Sequence, residues 1–126
     1  MRLSEVTTLR LGGPAANLAI AASETELIDL VSTADALGEP VLLIAGGSNL
    51  VISDEGFAGR VVLVRTRGIE VEQDACSGAT VTAAAGESFD KLVQSAVNSE
   101  WIGLEALSGI PGSVGATPIQ NVGAYG

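Results

Sequence analysis

Apart from Asn17, small and apolar residues fill positions 15–22, the pattern of a strand, and the pattern then changes period. Leu27, Leu30, Val31, Ala34 and Leu37 recur at helical spacing. Ser23, with Glu26 three residues on, forms a capping box at the start of that stretch, and Gly38 with Pro40 ends it. Val41-Leu42-Leu43-Ile44-Ala45 is a continuous apolar run, the pattern of a strand buried on both faces. Positions 15–45 therefore predict strand–helix–strand, with a right-handed crossover and the two strands paired in parallel. Leu50 to Ile52 predicts a short strand or turn. Further strands are expected at 61–64, 69–72 and 80–85, the last two joined by a polar turn at 74–78. Ser88 is placed to cap a second helix, with Phe89, Leu92, Val93, Ala96 and Val97 on one face. Periodicity fades from Trp101 onward, and a soft internal boundary is expected near 57–60.

Two glycine-rich segments stand outside this periodicity. Gly46-Gly47-Ser48-Asn49 follows the apolar run directly, at the C-terminal end of a strand, where open α/β sheets place ligands. Its N–H groups suit a nest for a pyrophosphate, and Ser48 and Asn49 add side-chain donors. In Ser108-Gly109-Ile110-Pro111-Gly112-Ser113-Val114-Gly115-Ala116, glycine recurs every third residue around Pro111. That spacing keeps one side open for a flat or extended ligand, because glycine brings backbone close to it. Together the loops suggest a long anionic ligand such as a dinucleotide. For each, a purely structural turn is the alternative. The first is neither a Walker A loop nor a G-x-G-x-x-G fingerprint, which disfavours a Rossmann domain. Outside the loops, Arg10 reads as a surface residue or a phosphate contact, and Trp101 as core or cover. Glu105 reads as a partner for a cofactor hydroxyl or as a structural hydrogen-bond acceptor. Cys76 reads as an incidental thiol.

Composition narrows the choice. The 126 residues suffice for one compact domain, and 47% hydrophobic against 17% charged residues argues against disorder. The net charge of −9 disfavours nucleic acid and anionic membranes as partners. No apolar run is long enough to span a bilayer, and the chain does not open with a signal peptide pattern. With one cysteine, a cytoplasmic location is expected. With no histidine, no metal site is expected, and Ser-His-Asp or Cys-His catalysis within the chain is excluded.

The run from Gly103 through Ile110-Pro111-Gly112-Ser113 to Pro118-Ile119-Gln120-Asn121-Val122-Gly123-Ala124-Tyr125-Gly126 closely resembles the UDP-N-acetylenolpyruvoylglucosamine reductases. Thr7-Thr8-Leu9-Arg10-Leu11-Gly12-Gly13-Pro14-Ala15 resembles that family's N-terminal motif, and Ala45-Gly46-Gly47-Ser48-Asn49-Leu50 its next one. At Ala45 many family members have a third glycine. The resemblance implies an α+β fold, the FAD-binding domain of the p-cresol methylhydroxylase and vanillyl-alcohol oxidase type. Its two subdomains would be a βαβ unit at 1–58 and a mainly antiparallel sheet with helices at 59–126.

It also implies the reaction. NADPH reduces FAD, and the flavin passes a hydride to UDP-N-acetylglucosamine-enolpyruvate, giving UDP-N-acetylmuramate for peptidoglycan. Carried over by position, Gly46, Gly47, Ser48 and Asn49 would hold the FAD pyrophosphate region. Ile110, Pro111, Gly112, Ser113, Gly115, Ala116 and Thr117 would wrap the cofactor. Ile119, Gln120 and Gly123 would lie near the flavin, and Tyr125 on the substrate side. Relatives of this fold that attach FAD covalently use His or Cys; here non-covalent binding is expected. The family continues past the Gly-Ala-Tyr-Gly motif, so the chain is expected to be its N-terminal FAD-binding portion. The catalytic arginine, proton-donating serine, late glutamate and substrate-binding domain would lie beyond it, leaving no catalytic residue here and the portion alone inactive. The alternatives are a non-catalytic flavin- or nucleotide-binding module, and an oxidase of the same flavin fold with another substrate.

Overall fold

The computed structural model describes residues 1–74 and 78–125. Cys76, the centre of the expected 74–78 turn and Gly126 lie outside the described residues. Contacts divide the chain into two compact units, Met1–Thr66 and Arg67–Gly126.

The first unit is built on the predicted strand–helix–strand. Strand β1 spans Ala15–Ala21, helix α1 Glu24–Ala36 and strand β2 Val41–Ile44. The capping box at the start of α1 is formed. Ser23 Oγ accepts from the Glu26 N–H at 3.2 Å, and Glu26 Oε2 accepts from the N–H groups of Ser23 and Ala22 at 3.1 and 2.8 Å. Such a cap contributes about 1 kcal/mol by satisfying otherwise orphaned helix N–H groups.

The expected direct pairing of β1 with β2 does not occur. Strand β3, Phe57–Val64, lies between them and pairs in parallel with both, giving the order β1-β3-β2. The reason is hydrophobic: β3 carries Val61, Val62, Leu63 and Val64, all buried, and takes the central place. Burial on both faces therefore belongs to β3. As an edge strand, β2 buries Ile44 and leaves Leu43 49% exposed. Strand β3 also starts earlier than expected. A division at 58/59 would cut through it, and its pairing on both sides keeps the whole strand in the first unit.

Val61 and Leu63, two residues apart and so on one face of β3, form a core with Ile44 and Leu3. Leu50 and Ile52 pack against that core as irregular chain, without forming a strand. Each fully buried Leu, Ile or Val contributes about 1.5–3 kcal/mol. Helix α1 lies against all three strands, with Ala34 buried. Leu37, expected on its inner face, is exposed because it is the C-cap, where the chain leaves the helix.

In the second unit, β4 (Ile69–Asp74) and β5 (Gly78–Ala83) form a two-stranded antiparallel ladder from Ile69↔Ala83 to Asp74↔Gly78. Helix α2, Phe89–Asn98, follows its Ser88 cap as expected. Phe89, Leu92, Val93 and Ala96 are buried, but Val97 is exposed. At about 100° per residue, Val97 turns past the edge of the arc that the other four define.

Candidate cofactor-binding loops

The first glycine loop leaves β2 at the C-terminal edge of the parallel sheet, the ligand side of such sheets. The chain holds it by carbonyl groups. Thr8 N–H donates to the Gly47 carbonyl at 3.0 Å, and Arg65 Nη1 to the Ala45 carbonyl at 2.8 Å. Gly47 has φ +69, and a Cβ there would collide with the Val6 carbonyl oxygen, so only glycine fits. Among the described residues no protein group accepts from the N–H groups of Gly46, Gly47, Ser48 or Asn49. Gly47 is buried, Ser48 half-buried, and Gly46 and Asn49 exposed.

The second loop is a different object. Gly109 N–H donates to Asp90 Oδ1 at 2.6 Å. Val114 and Gly115 N–H groups donate to the Glu87 and Ala85 carbonyls, each at 2.9 Å. Ala116 and Thr117 N–H groups close a 3₁₀ turn, Val114–Ala116, onto Ser113 and Val114. The Thr117 hydroxyl donates to the Val114 carbonyl at 2.8 Å. Three N–H groups in the segment, those of Ile110, Gly112 and Ser113, have no acceptor among the described residues; Pro111 has none to offer. Ser113 is 4% exposed, and its Oγ has no partner among the described residues. A buried hydroxyl left unpaired costs about 1–3 kcal/mol, so this one is suited to an incoming group.

Beyond the 3₁₀ turn, Gln120 Nε2 reaches the Pro111 carbonyl at 3.4 Å and folds the tail back on the loop. Ile119 and Tyr125 are 82% and 88% exposed, and Gly123 is half-buried. Glu105 proves structural. Its Oε2 accepts from the Gly103 N–H at 2.7 Å, and backbone N–H groups, its own first, hold the carboxyl below the usual carboxylate range. Arg10 is exposed in a left-handed backbone conformation, φ +55. Trp101 is half-buried beside a hollow of about 540 Å³ that includes neither glycine loop. The two loops belong to different units, the first to Met1–Thr66 and the second to Arg67–Gly126.

Sequence reading missed two side chains here, Arg65 behind the first loop and Asp90 behind the second. Arg65 is twenty residues from the carbonyl it holds and Asp90 nineteen from the N–H it accepts, so no local pattern marks either.

The fold and loops define a flavin-binding class. Residues 15–126 match the FAD binding domain family, and the chain belongs to that family. Its fold is the α+β, two-part FAD-binding fold that the sequence motifs implied. Among relatives, the UDP-N-acetylenolpyruvoylglucosamine reductases of Cutibacterium acnes and Salinispora arenicola are 54% and 56% identical over 124 residues, or 98% of this chain. The chain spans about a third of their length, 33% and 34%. The crystal structure of UDP-N-acetylenolpyruvylglucosamine reductase from Thermus caldophilus superposes with a TM-score of 0.72 at 30% identity. That alignment covers 99% of this chain and 42% of that one.

The residues present fit FAD. A cofactor pyrophosphate needs N–H donors that the fold has not consumed, and Gly46 to Asn49 offer a run of them. The orphaned Ser113 hydroxyl and the Gly112 and Ser113 N–H groups offer a second cluster.

Proposed function

We propose that this chain is the FAD-binding portion of an NADPH-dependent reductase that converts UDP-N-acetylglucosamine-enolpyruvate to UDP-N-acetylmuramate. The observation that carries this reading is the identity above 50% to two reductases along 98% of the chain. In this reading the setting is cytoplasmic, supplying cell-wall synthesis. Among the described residues no helix is long and apolar enough to cross a membrane.

When bound, FAD supplies the hydride chemistry. The chain's own residues bind and orient it. Gly46, Gly47, Ser48 and Asn49 donate backbone N–H groups to the pyrophosphate region. Ile110, Gly112 and Ser113 donate from the second loop, with Ser113 Oγ among them, while Pro111 stiffens that loop. Gly115, Ala116 and Thr117 act by shape, since their N–H groups are engaged within the protein. Ile119, Gln120 and Gly123 lie near the flavin, and Tyr125 is assigned to the substrate side. Attachment is non-covalent, because the sequence has no histidine and Cys76 lies outside both loops. In this reading other parts of the reductase supply the acid that completes the reduction and most of the contacts to the UDP-sugar.

The test is direct. FAD titrated into the protein is expected to lose fluorescence and gain a structured visible band, with saturation at one FAD per chain. With NADPH and the enolpyruvyl substrate added, the chain alone is expected to give no turnover. Unchanged FAD fluorescence overturns the cofactor reading, and turnover overturns the division of labour.

A further inference from the structure

Arg65 follows the last residue of β3, at the C-terminal edge of the sheet beside the exit of β2. Its Nη1 donates to two carbonyls at once, Ala45 at 2.8 Å and its neighbour Val64 at 3.0 Å. Its backbone N–H donates to the Ala21 carbonyl at 2.8 Å, so one residue ties together the ends of all three strands. Ala45 is the residue immediately before the first glycine loop.

The charge pattern sets this arginine apart. The chain has six cationic side chains against fifteen acidic ones. Arg60 pairs with Glu39 at 2.9 Å and Arg67 with Glu87 at 3.5 Å. Of the four cations with no ion pair among the described residues, Arg2, Arg10 and Lys91 are exposed and Arg65 is half-buried. A half-buried guanidinium with no ion pair among the described residues has its charge uncompensated by the protein and open to an anion. Two carbonyls engage Nη1, and among the described residues Nε and Nη2 have no acceptor. The planar guanidinium is built for anion recognition through such a fork.

We propose that Arg65 is the positioning residue of the first glycine loop. It fixes the Ala45 carbonyl, turns the N–H groups of Gly46 to Asn49 outward, and adds a positive charge beside them for the pyrophosphate of FAD. The proposal rests on the FAD reading and names a residue that reading does not use.

The experiment compares wild type with Arg65→Met and Arg65→Lys by FAD fluorescence titration, well below each protein's unfolding temperature and at two salt concentrations. Arg65→Met is expected to weaken FAD about 10- to 100-fold and to flatten the salt dependence of binding. Arg65→Lys keeps the charge and reaches one carbonyl, and is expected to lose only about threefold. A purely structural role would lower the thermal midpoint of the apoprotein and leave both the affinity of the folded protein and its salt dependence unchanged. If Arg65→Met does not fold, Arg65→Lys carries the test, and an FAD affinity undiminished from wild type in that variant overturns the proposal. Wild type that binds FAD beside an equally tight Arg65→Met overturns the role of Arg65 alone. Wild type that binds no FAD overturns the cofactor reading and this proposal with it.

Discussion

The two glycine loops look alike as sequence and differ as structure. In the first, the chain grips carbonyl groups, those of Ala45 and Gly47, and leaves four consecutive N–H groups without protein acceptors among the described residues. In the second, the chain consumes N–H groups, those of Gly109, Val114, Gly115, Ala116 and Thr117, and leaves a short cluster ending at Ser113. Glycine density therefore marks two separable properties. One is a backbone open to a ligand; the other is a backbone that approaches another part of the same chain. Gly115 shows the second: a Cβ there would lie 2.6 Å from the Ala85 Cβ. Gly47 shows both at once, buried against the Val6–Thr8 segment through one edge of its peptide and unpaired through the other.

The largest expected effect breaks the first loop. Gly47→Val forces a branched side chain into a left-handed backbone and against the Val6 carbonyl. Left-handed backbone alone costs roughly 1–2 kcal/mol and overpacking adds 1–3, so a loss of about 3 kcal/mol or more is expected in urea unfolding. FAD binding should disappear with it. Gly115→Ala probes the second loop by packing alone, since its backbone is not left-handed. The expected cost is about 1–2 kcal/mol, because the Ala85 backbone must shift to admit one methyl group. If the comparison holds, the Gly115→Ala protein that remains folded still binds FAD, more weakly than wild type but far more tightly than Gly47→Val, because the Gly115 N–H is already engaged by the Ala85 carbonyl. An affinity loss as complete as that of Gly47→Val would erase the distinction between the loops.

What the sequence disclosed follows the range of the forces involved. The α1 capping box and the Ser88 cap were legible because each is settled within four residues. The order β1-β3-β2 was not, because register between partners nineteen or more residues apart leaves no local trace. The run at 41–45 is as apolar as that at 61–64, yet the edge position went to the first and the centre to the second. Val97 fitted the helical repeat and still faces outward, since the width of the buried stripe is set by what covers the helix. At the candidate site, the positions of the loops were readable from glycine spacing and their motifs. Which N–H groups remain available was not readable, because Glu87, Ala85 and Asp90 decide it from 19 to 30 residues away.

A smaller effect sharpens the comparison through Asp90, in the first turn of α2. Its carboxylate accepts from Gly109 at 2.6 Å and sits near the positive end of the helix dipole. Asp90→Asn keeps an acceptor but removes the charge, and is expected to cost about 0.5–1 kcal/mol in urea unfolding. Amide exchange should accelerate at Gly109 and stay at wild-type rates at Gly46 to Asn49. Faster exchange in both loops would mean that they are not independently anchored.

The smallest effect is one of pH, and it again treats the two units separately. Glu26 in the first unit is held below the usual carboxylate range, chiefly by the Ala22 and Ser23 N–H groups. Glu105 in the second is held down by its own backbone N–H and that of Gly103. A lowered carboxyl pKa means that the folded chain favours the ionised form more than the unfolded chain does. The contribution is therefore complete above the unfolded-state pKa and is lost as pH falls through the folded-state value. Both side chains are at the surface, so the expected change is small and is best read locally. At neutral pH, Glu105→Gln should speed amide exchange at Gly103, and Glu26→Gln should do so at Ala22 and Ser23. After correction for intrinsic exchange, each variant should converge with wild type in acid, where the native carboxyl is itself protonated. A Glu105→Gln difference that persists unchanged into acid would show that the turn before the second loop is held by shape, and not by the carboxylate charge.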